Sequence, residues 1–201
     1  MTTTSTRSKP NYRGFTMVEV IVAATIGSFV LVGVLTAFLF ITKSATNAAN
    51  YSMMETQSRR ALEEFGQDVR MASDATWNSA TSVTLEVPDN YTATSNLVTY
   101  AFQVVGGVGQ FYRMPGAAAA TNTKTVLIKN VASDFAFSRF DRVGNPISST
   151  VSGTASIALQ NNIQIKRIQL YMTVRTTTRT VATATNTILS ASFILRNKLT
   201  S

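Results

Sequence analysis

Residues 14–42 read GFTMVEVIVAATIGSFVLVGVLTAFLFIT, and this stretch decides how the 201-residue chain is organised. Residues 20–42 contain no charged side chain. A helix that crosses the hydrocarbon core of a bilayer needs roughly 20 apolar residues, at about 1.5 Å of rise for each. The stretch therefore predicts one transmembrane helix close to the amino terminus.

One carboxylate, Glu19, lies at the start of this apolar run. A carboxylate inside a spanning segment costs about 2.5 to 3.5 kcal/mol on insertion scales, so it normally has a partner or a function. The preceding residues, 1–14, are polar and carry Arg7, Lys9 and Arg13 but no acid. Secretory signals also begin with basic residues, but their apolar core is only about 7 to 15 residues long. We therefore expect residues 1–14 to be a leader, and the longer apolar run to remain on the mature protein.

The sequence RGFTMVE, residues 13–19, resembles the type IV prepilin signature. This resemblance implies that a prepilin peptidase cleaves between Gly14 and Phe15 and that the new amino terminus, Phe15, is N-methylated. It also implies that Glu19, the fifth residue of the mature chain, takes part in subunit assembly. Hydropathy alone leaves an alternative, an ordinary signal-anchor helix whose Glu19 lies in the headgroup zone.

A physical argument for assembly concerns the new amino terminus. A Glu buried among packed helices is stabilised if a neighbour presents a cation. Cleavage creates such a cation, because it frees the amine of Phe15 on an adjacent subunit. We therefore expect Glu19 to pair with the Phe15 amine of a neighbouring subunit.

The distribution of basic residues predicts the orientation in the membrane. Basic residues next to a spanning helix stay on the cytoplasmic side. Arg7, Lys9 and Arg13 precede the apolar run, whereas Lys43 alone closes it. We expect a single-pass protein of the bacterial cytoplasmic membrane whose carboxyl-terminal part lies in the periplasm or outside the cell.

Residues 43–76 continue with a helical pattern. Leu62, Phe65, Val69 and Ala72 form one apolar stripe of an amphipathic helix. The polar residues between them predict a solvated face with Arg–Glu pairs one turn apart; they are Arg59, Arg60, Glu63, Glu64, Gln67 and Asp68.

From residue 77 to residue 201 the pattern changes to short alternating stretches that predict an antiparallel β-sheet. The clearest alternation puts Ile168, Leu170, Met172 and Val174 on one face, and Leu189, Ala191, Phe193 and Leu195 repeat it. The predicted strands are residues 82–87, 97–105, 110–114, 125–131, 135–140, 165–176 and 188–196. We therefore predict an α+β, pilin-like fold: a leader at 1–14, a transmembrane helix half at 15–42, an amphipathic half at 43–76, and a sheet domain at 77–201 packed on that second half.

Several later segments indicate the kind of subunit. SRRALEEFGQDVRMAS, IKNVASDFAFSRFDRVGNP, IQLYMTVRTTT and SFILRN resemble W-type minor pilins and the J-type minor pseudopilins of type II secretion. Two departures, no proline in the spanning helix and no carboxyl-terminal cysteine pair, argue against a major pilin. The resemblance implies a subunit of a type IV pilus or a type II secretion pseudopilus, at its tip or in its initiation complex. The implied partners are other pilin or pseudopilin subunits, a prepilin peptidase, and an assembly platform with its ATPase.

Composition argues against catalysis. The chain has no cysteine, so neither a disulfide nor a thiolate metal site is possible, and it has no histidine, the commonest general base. Asp134 and Asp141 form the best outward acid pair, but no nucleophile or base stands at a recognisable spacing from them. Nor is there a dense acidic loop for calcium. We predict a noncatalytic protein without a cofactor or metal.

The basic balance leaves one rival function. The formal charge is +8, and Arg167, Tyr171, Arg175 and Arg179 form a basic set that includes an aromatic residue. Such a set could bind the phosphates of DNA, as in a DNA-uptake pilin. Three of the positive charges belong to the leader, however, and the others are spread along the chain. DNA binding is therefore the less favoured prediction.

Overall fold

The computed structural model describes residues 14–88, 96–147, 164–175 and 186–198. The chain divides into two compact units, one that extends to Thr46 and one from Asn47 to Ser201. Within the described residues, the secondary structure is one long helix followed by eight strands, in the order α1 and then β1 to β8. An apolar amino-terminal helix that packs on antiparallel sheet is a pilin-like α+β architecture, and it confirms the predicted fold class.

Helix α1 comprises Met17–Met71. It ends at Met71 and not near residue 76, because the next residues join a sheet. The backbone NH and the hydroxyl of Ser73 both donate to the carbonyl of Glu86, at 2.8 and 3.1 Å. Strand β1, Asp74–Ser79, then begins directly. The predicted helix boundary at 76 is therefore wrong.

The first sheet is an antiparallel meander of five strands in the order β1-β2-β3-β4-β5. Its strands after β1 are β2 (Ser82–Glu86), β3 (Leu97–Val105), β4 (Val108–Pro115) and β5 (Thr125–Lys129). The alternation of the sequence predicted β2 to β5 with small shifts at their ends. It missed β1, where Ala75 and Trp77 are buried and pair with Leu85 and Val83 of β2.

The second sheet contains three antiparallel strands in the order β6-β7-β8. They are β6 (Ala136–Phe140), β7 (Arg167–Arg175) and β8 (Asn186–Ile194). The two sheets are connected by backbone bonds: Ala132 donates to the carbonyl of Thr173 at 2.8 Å, and Arg175 donates to that of Asn130 at 2.9 Å. The segment that follows β5 therefore joins the carboxyl-terminal end of β7, the central strand of the second sheet.

The second half of α1 covers the apolar faces of both sheets. Phe65 is at the centre of this core; its ring lies 4.9 Å from that of Tyr100, 5.6 Å from that of Phe137 and 5.5 Å from that of Phe193. Val69 and Ala72 are also buried, whereas Leu62 is half-buried. Burial of one such aromatic side chain contributes about 3 kcal/mol. The predicted stripe is the face that the helix buries.

The predicted alternation in β7 is confirmed, but that in β8 is weaker. In β7 the predicted inward residues are all buried; they are Ile168, Leu170, Met172 and Val174. In β8, Leu189, Ala191 and Phe193 are half-buried, and full burial begins at Leu195, just after the strand. The difference arises because β8 lies at the edge of its sheet among the strands that the structure describes.

The amino-terminal segment as candidate functional site

The start of α1 is built by a reciprocal cap between Thr16 and Glu19. The backbone NH and the hydroxyl of Thr16 both donate to Oε2 of Glu19, each at 2.9 Å. In return the backbone NH of Glu19 donates to the Thr16 hydroxyl at 3.3 Å. This is the capping-box arrangement, in which Ser or Thr precedes the helix and Glu stands three residues later. The Thr-x-x-Glu spacing is the sequence signal by which this cap could have been predicted.

The predicted cleavage junction lies just before this cap. Phe15 is 86% exposed. A Cβ added at Gly14 would meet no atom within 4 Å. The peptide bond between Gly14 and Phe15 therefore lies in an open, non-helical segment ahead of α1. Gly14, Phe15 and Glu19 are thus neighbours at one end of the helix, and their individual roles remain predictions.

The first half of α1 is apolar on all sides. In the described part of the chain, α1 is the helix that is long enough and apolar enough to cross a membrane. Its hydroxyl groups are satisfied within the helix: Thr25, Ser28 and Thr36 donate to the carbonyls four residues earlier, at 2.7 to 2.8 Å. In a bilayer, polar groups must find partners inside the protein, and these bonds meet that requirement.

A buried polar cluster holds the second half of α1 on the first sheet. Oδ2 of Asp68 accepts a hydrogen bond from the Tyr100 hydroxyl at 2.7 Å and one from Nε of Arg113 at 3.0 Å. Glu64 lies 3.4 Å from the same Arg113 nitrogen. Burial and the Asp68 charge raise the pKa of the Tyr100 phenol. The prediction that Asp68 belongs to a solvated face is therefore wrong, because long-range partners on β3 and β4 bury it.

The basic set of the rival prediction is only partly described. Arg167, Tyr171 and Arg175 lie four residues apart on one face of β7, and Arg179 lies outside the described residues. The guanidinium of Arg167 lies over the ring of Phe140, 4.3 Å from its centre. Tyr171 and Arg175 are exposed. The structure thus provides a short row on a sheet face, in which one cation already packs on an aromatic ring.

The two acids considered for catalysis have structural partners and do not form a pair. Asp134 accepts a hydrogen bond from the Thr173 hydroxyl at 2.5 Å. Asp141 closes a local turn, in which its Oδ1 accepts from the backbone NH groups of Gly144 and Asn145 at 2.7 and 2.8 Å. Although partial desolvation opposes the shift, the bonds from Asn145 and Gly144 lower the pKa of Asp141. Among the described residues, no three potential metal-ligating side chains cluster together.

The comparison with protein families agrees with the geometry of the amino terminus. The family described as the prokaryotic N-terminal methylation motif matches residues 9–35. No curated protein matches the chain. The chain therefore carries a methylation motif that is consistent with a type IV prepilin-like protein, and the motif leads into a helix long and apolar enough to span a membrane. The predicted resemblance is confirmed at this level.

Proposed function

We propose that this chain is a noncatalytic minor pilin or pseudopilin subunit. It is inserted in the cytoplasmic membrane, cleaved between Gly14 and Phe15 by a prepilin peptidase, and methylated on the Phe15 amine. It is then assembled with other subunits, by a platform protein and its ATPase, into a type IV pilus or a type II secretion pseudopilus. The observation that carries the proposal is the methylation motif on an exposed junction directly before the cap of α1.

The cap is compatible with cleavage because both of its residues follow the cleaved bond. Thr16 and Glu19 remain on the mature chain, so removal of residues 1–14 leaves the start of α1 intact. The mature chain would begin with Phe15, one residue before the cap. Cleavage thus adds an amine to an already ordered helix end.

The arrangement also leaves Glu19 able to accept a further partner. Both bonds from Thr16 go to Oε2, and Oε1 accepts none from the residues that the structure describes. A carboxylate among apolar helices is stabilised by a cation within about 4 to 6 Å. The Phe15 amine of a neighbouring subunit would supply that cation at a free Oε1. Glu19 would then cap its own helix and bind the next subunit.

The proposed orientation keeps the leader in the cytoplasm, where the peptidase would act. Three basic residues of the leader favour this side, and Lys43 is the first charge after the apolar run. The sheet domain would then lie in the periplasm or outside the cell. An epitope tag at Ser201 should be digested by protease added to spheroplasts, and a tag at Met1 of an uncleavable variant should be protected.

Processing is tested by the mass of the protein extracted from membranes of its own host. We expect an amino terminus at Phe15 with one added methyl group. Gly14→Leu should prevent cleavage and leave the leader attached. An intact Met1 terminus in the wild-type chain, or a terminus within the apolar run, would refute the proposal.

The role of Glu19 is tested by two substitutions that separate the charge from the cap. Glu19→Gln keeps an acceptor oxygen for Thr16 but removes the negative charge, whereas Glu19→Ala removes both. If the charge serves assembly, both variants should insert and be cleaved, and both should be about ten-fold less abundant in sheared fibres or crosslinked complexes. Normal recovery of Glu19→Gln would show that Glu19 acts only as a helix cap.

A DNA-uptake subunit is the second candidate, and the row on β7 favours it. The test is titration of the full chain in detergent against duplex DNA at physiological salt. A subunit without a DNA site should bind weakly and lose that binding when a modest amount of salt is added. Submicromolar binding that is abolished by Arg167→Ala and Arg175→Ala would favour DNA uptake. Lys124→Ala is the matched control, because it removes an exposed charge from another face.

A further inference from the structure

A groove of about 250 Å³ lies between the second half of α1 and the ends of β5 and β7. Its lining consists of Asn50, Met53, Met54, Gln57, Lys129, Asn130, Val174 and Arg175. Asn130 has a left-handed backbone, with φ at 61°, and its carbonyl accepts the backbone NH of Arg175. Asn tolerates this conformation better than most residues. The floor of the groove is therefore fixed by a backbone bond between the two sheets.

The groove contains two cations and no described carboxylate within ion-pair distance. The described ion pairs use other residues: Glu55 pairs with Arg59, Glu64 and Asp68 with Arg113, and Asp74 with Lys198. Asp89 is the one acidic side chain that lies outside the described residues. Among the described residues, neither Lys129 nor Arg175 therefore has a carboxylate at ion-pair distance.

An unpaired donor lies in the same groove. The side-chain amide nitrogen of Asn50 is buried and donates to no acceptor among the described residues. Buried polar groups are normally hydrogen-bonded, and one without a partner destabilises the protein. An acidic side chain placed in the groove would neutralise the two cations, and an oxygen there would reach the buried Asn50 nitrogen only after the Asn50 side chain turns towards the groove.

We propose that this groove binds an acidic side chain of a neighbouring pilin-like subunit in the assembly. The inference rests on the proposed function, because a second subunit must lie against this face. The carboxylate would lie between Lys129 and Arg175, and it would accept from Asn50 once that side chain turns towards the groove. The apolar wall of Met53, Met54 and Val174 would contact the residues next to it, and Met53, which is 57% exposed, can adapt to their shape.

The net charge of the chain indicates which kind of subunit the groove would bind. The chain has 18 basic and 10 acidic residues, and it stays positive when the three basic residues of the leader are removed. A second copy would bring the same excess of positive charge to the contact, which disfavours association. The groove therefore fits a subunit that is more acidic than this chain.

The test places a photo-crosslinking amino acid at Met53 of the full chain, in membranes of its own host. We expect an adduct with a different chain that carries a methylation motif, and a crosslinked peptide that contains Asp or Glu. Lys129→Glu with Arg175→Glu should reduce this adduct about ten-fold or more. Replacing the mapped acid of the partner by Lys should restore it. Lys124→Glu with Arg142→Glu is the matched control and should leave the adduct unchanged.

Each other outcome overturns the inference. An adduct with lipid would make the groove a headgroup site, and an adduct between two copies would assign the wrong partner. Three results would show that the groove is not an interface. They are a crosslinked peptide without Asp or Glu, an equal loss of the adduct in the control variant, and the absence of any adduct. If Phe15 is still the amino terminus and Glu19→Gln still impairs assembly, only the groove has failed. If those two results also fail, the proposed function has failed.

Discussion

Gly66 lies in the buried part of α1, and replacing it with Ala sets two opposite effects against each other. Ala is the better helix former by about 0.8 to 1.0 kcal/mol in an exposed helix interior. Here, however, an added Cβ would lie 2.5 Å from Cε1 and 3.0 Å from Cδ1 of Phe193 on β8. Atoms at that distance overlap, so the aromatic ring must move.

The structure allows the size of the net effect to be estimated. Overpacking a core typically costs about 1 to 3 kcal/mol. Displacement of Phe193 also disturbs its edge-to-face contact with Phe65, which has ring centres 5.5 Å apart and is worth about 0.5 to 1.5 kcal/mol. Phe193 is only half-buried on an edge strand, which places the overlap cost toward the lower end. We expect Gly66→Ala to lower the free energy of unfolding by about 1 to 2 kcal/mol.

The assay is urea unfolding of the full chain in detergent, followed by the fluorescence of Trp77. Trp77 is the sole tryptophan and is buried in the core. Gln67→Ala, an exposed substitution one position along the same helix, should change stability by less than about 0.5 kcal/mol. Phe193→Leu should reduce the penalty of Gly66→Ala, because the two side chains no longer overlap. A Gly66→Ala chain as stable as the wild type would refute the argument from close packing.

Three further predictions use the same unfolding assay. Asp68→Ala should destabilise the chain by about 2 to 3 kcal/mol, because it leaves the buried groups of Tyr100 and Arg113 without their shared acceptor. A smaller loss of stability than that caused by Tyr100→Phe would contradict this prediction. The pKa of Tyr100 in the folded state is raised above the unfolded value of about 10. The protonated phenol therefore stabilises the fold fully below that pH, and this stabilisation should be lost as the pH rises further. The free energy of unfolding should depend less on pH in Tyr100→Phe. Gly109→Ala should cost about 3 kcal/mol, more than Gly66→Ala, because its Cβ would clash with the backbone carbonyl of Val131, which cannot rotate away; a cost below about 1 kcal/mol would contradict this.

The amino terminus and the helical stripe could be predicted because their signals are local. The predicted leader, the predicted junction at Gly14 and the acid at Glu19 lie within a few residues of one another, and the apolar run is long enough to be identified by length alone. The stripe through Phe65 repeats with the helical period, and the alternation in β7 repeats with the strand period. Patterns of this kind need no knowledge of distant partners.

Other features depended on partners far away in the sequence. No proline or glycine stands between Met71 and strand β1, so the end of α1 was decided by pairing with β2 and not by a local signal. The sequence pattern placed Asp68 on a solvated helix face, whereas in the fold Tyr100 and Arg113 contact it and bury it. The groove beside Asn50 likewise brings together α1, β5 and β7, which are remote in sequence.

The sequence by itself therefore predicted the methylation motif, a helix long and apolar enough to span a membrane, and the residues proposed for cleavage and assembly. Tertiary structure alone decided which polar residues are buried, that Gly66 packs against Phe193, and which residues line the groove beside Asn50. The physical reason is that local periodicity specifies which face of an element is apolar. Only the packing of the whole chain specifies which element covers that face and which charged side chains are buried in the contact.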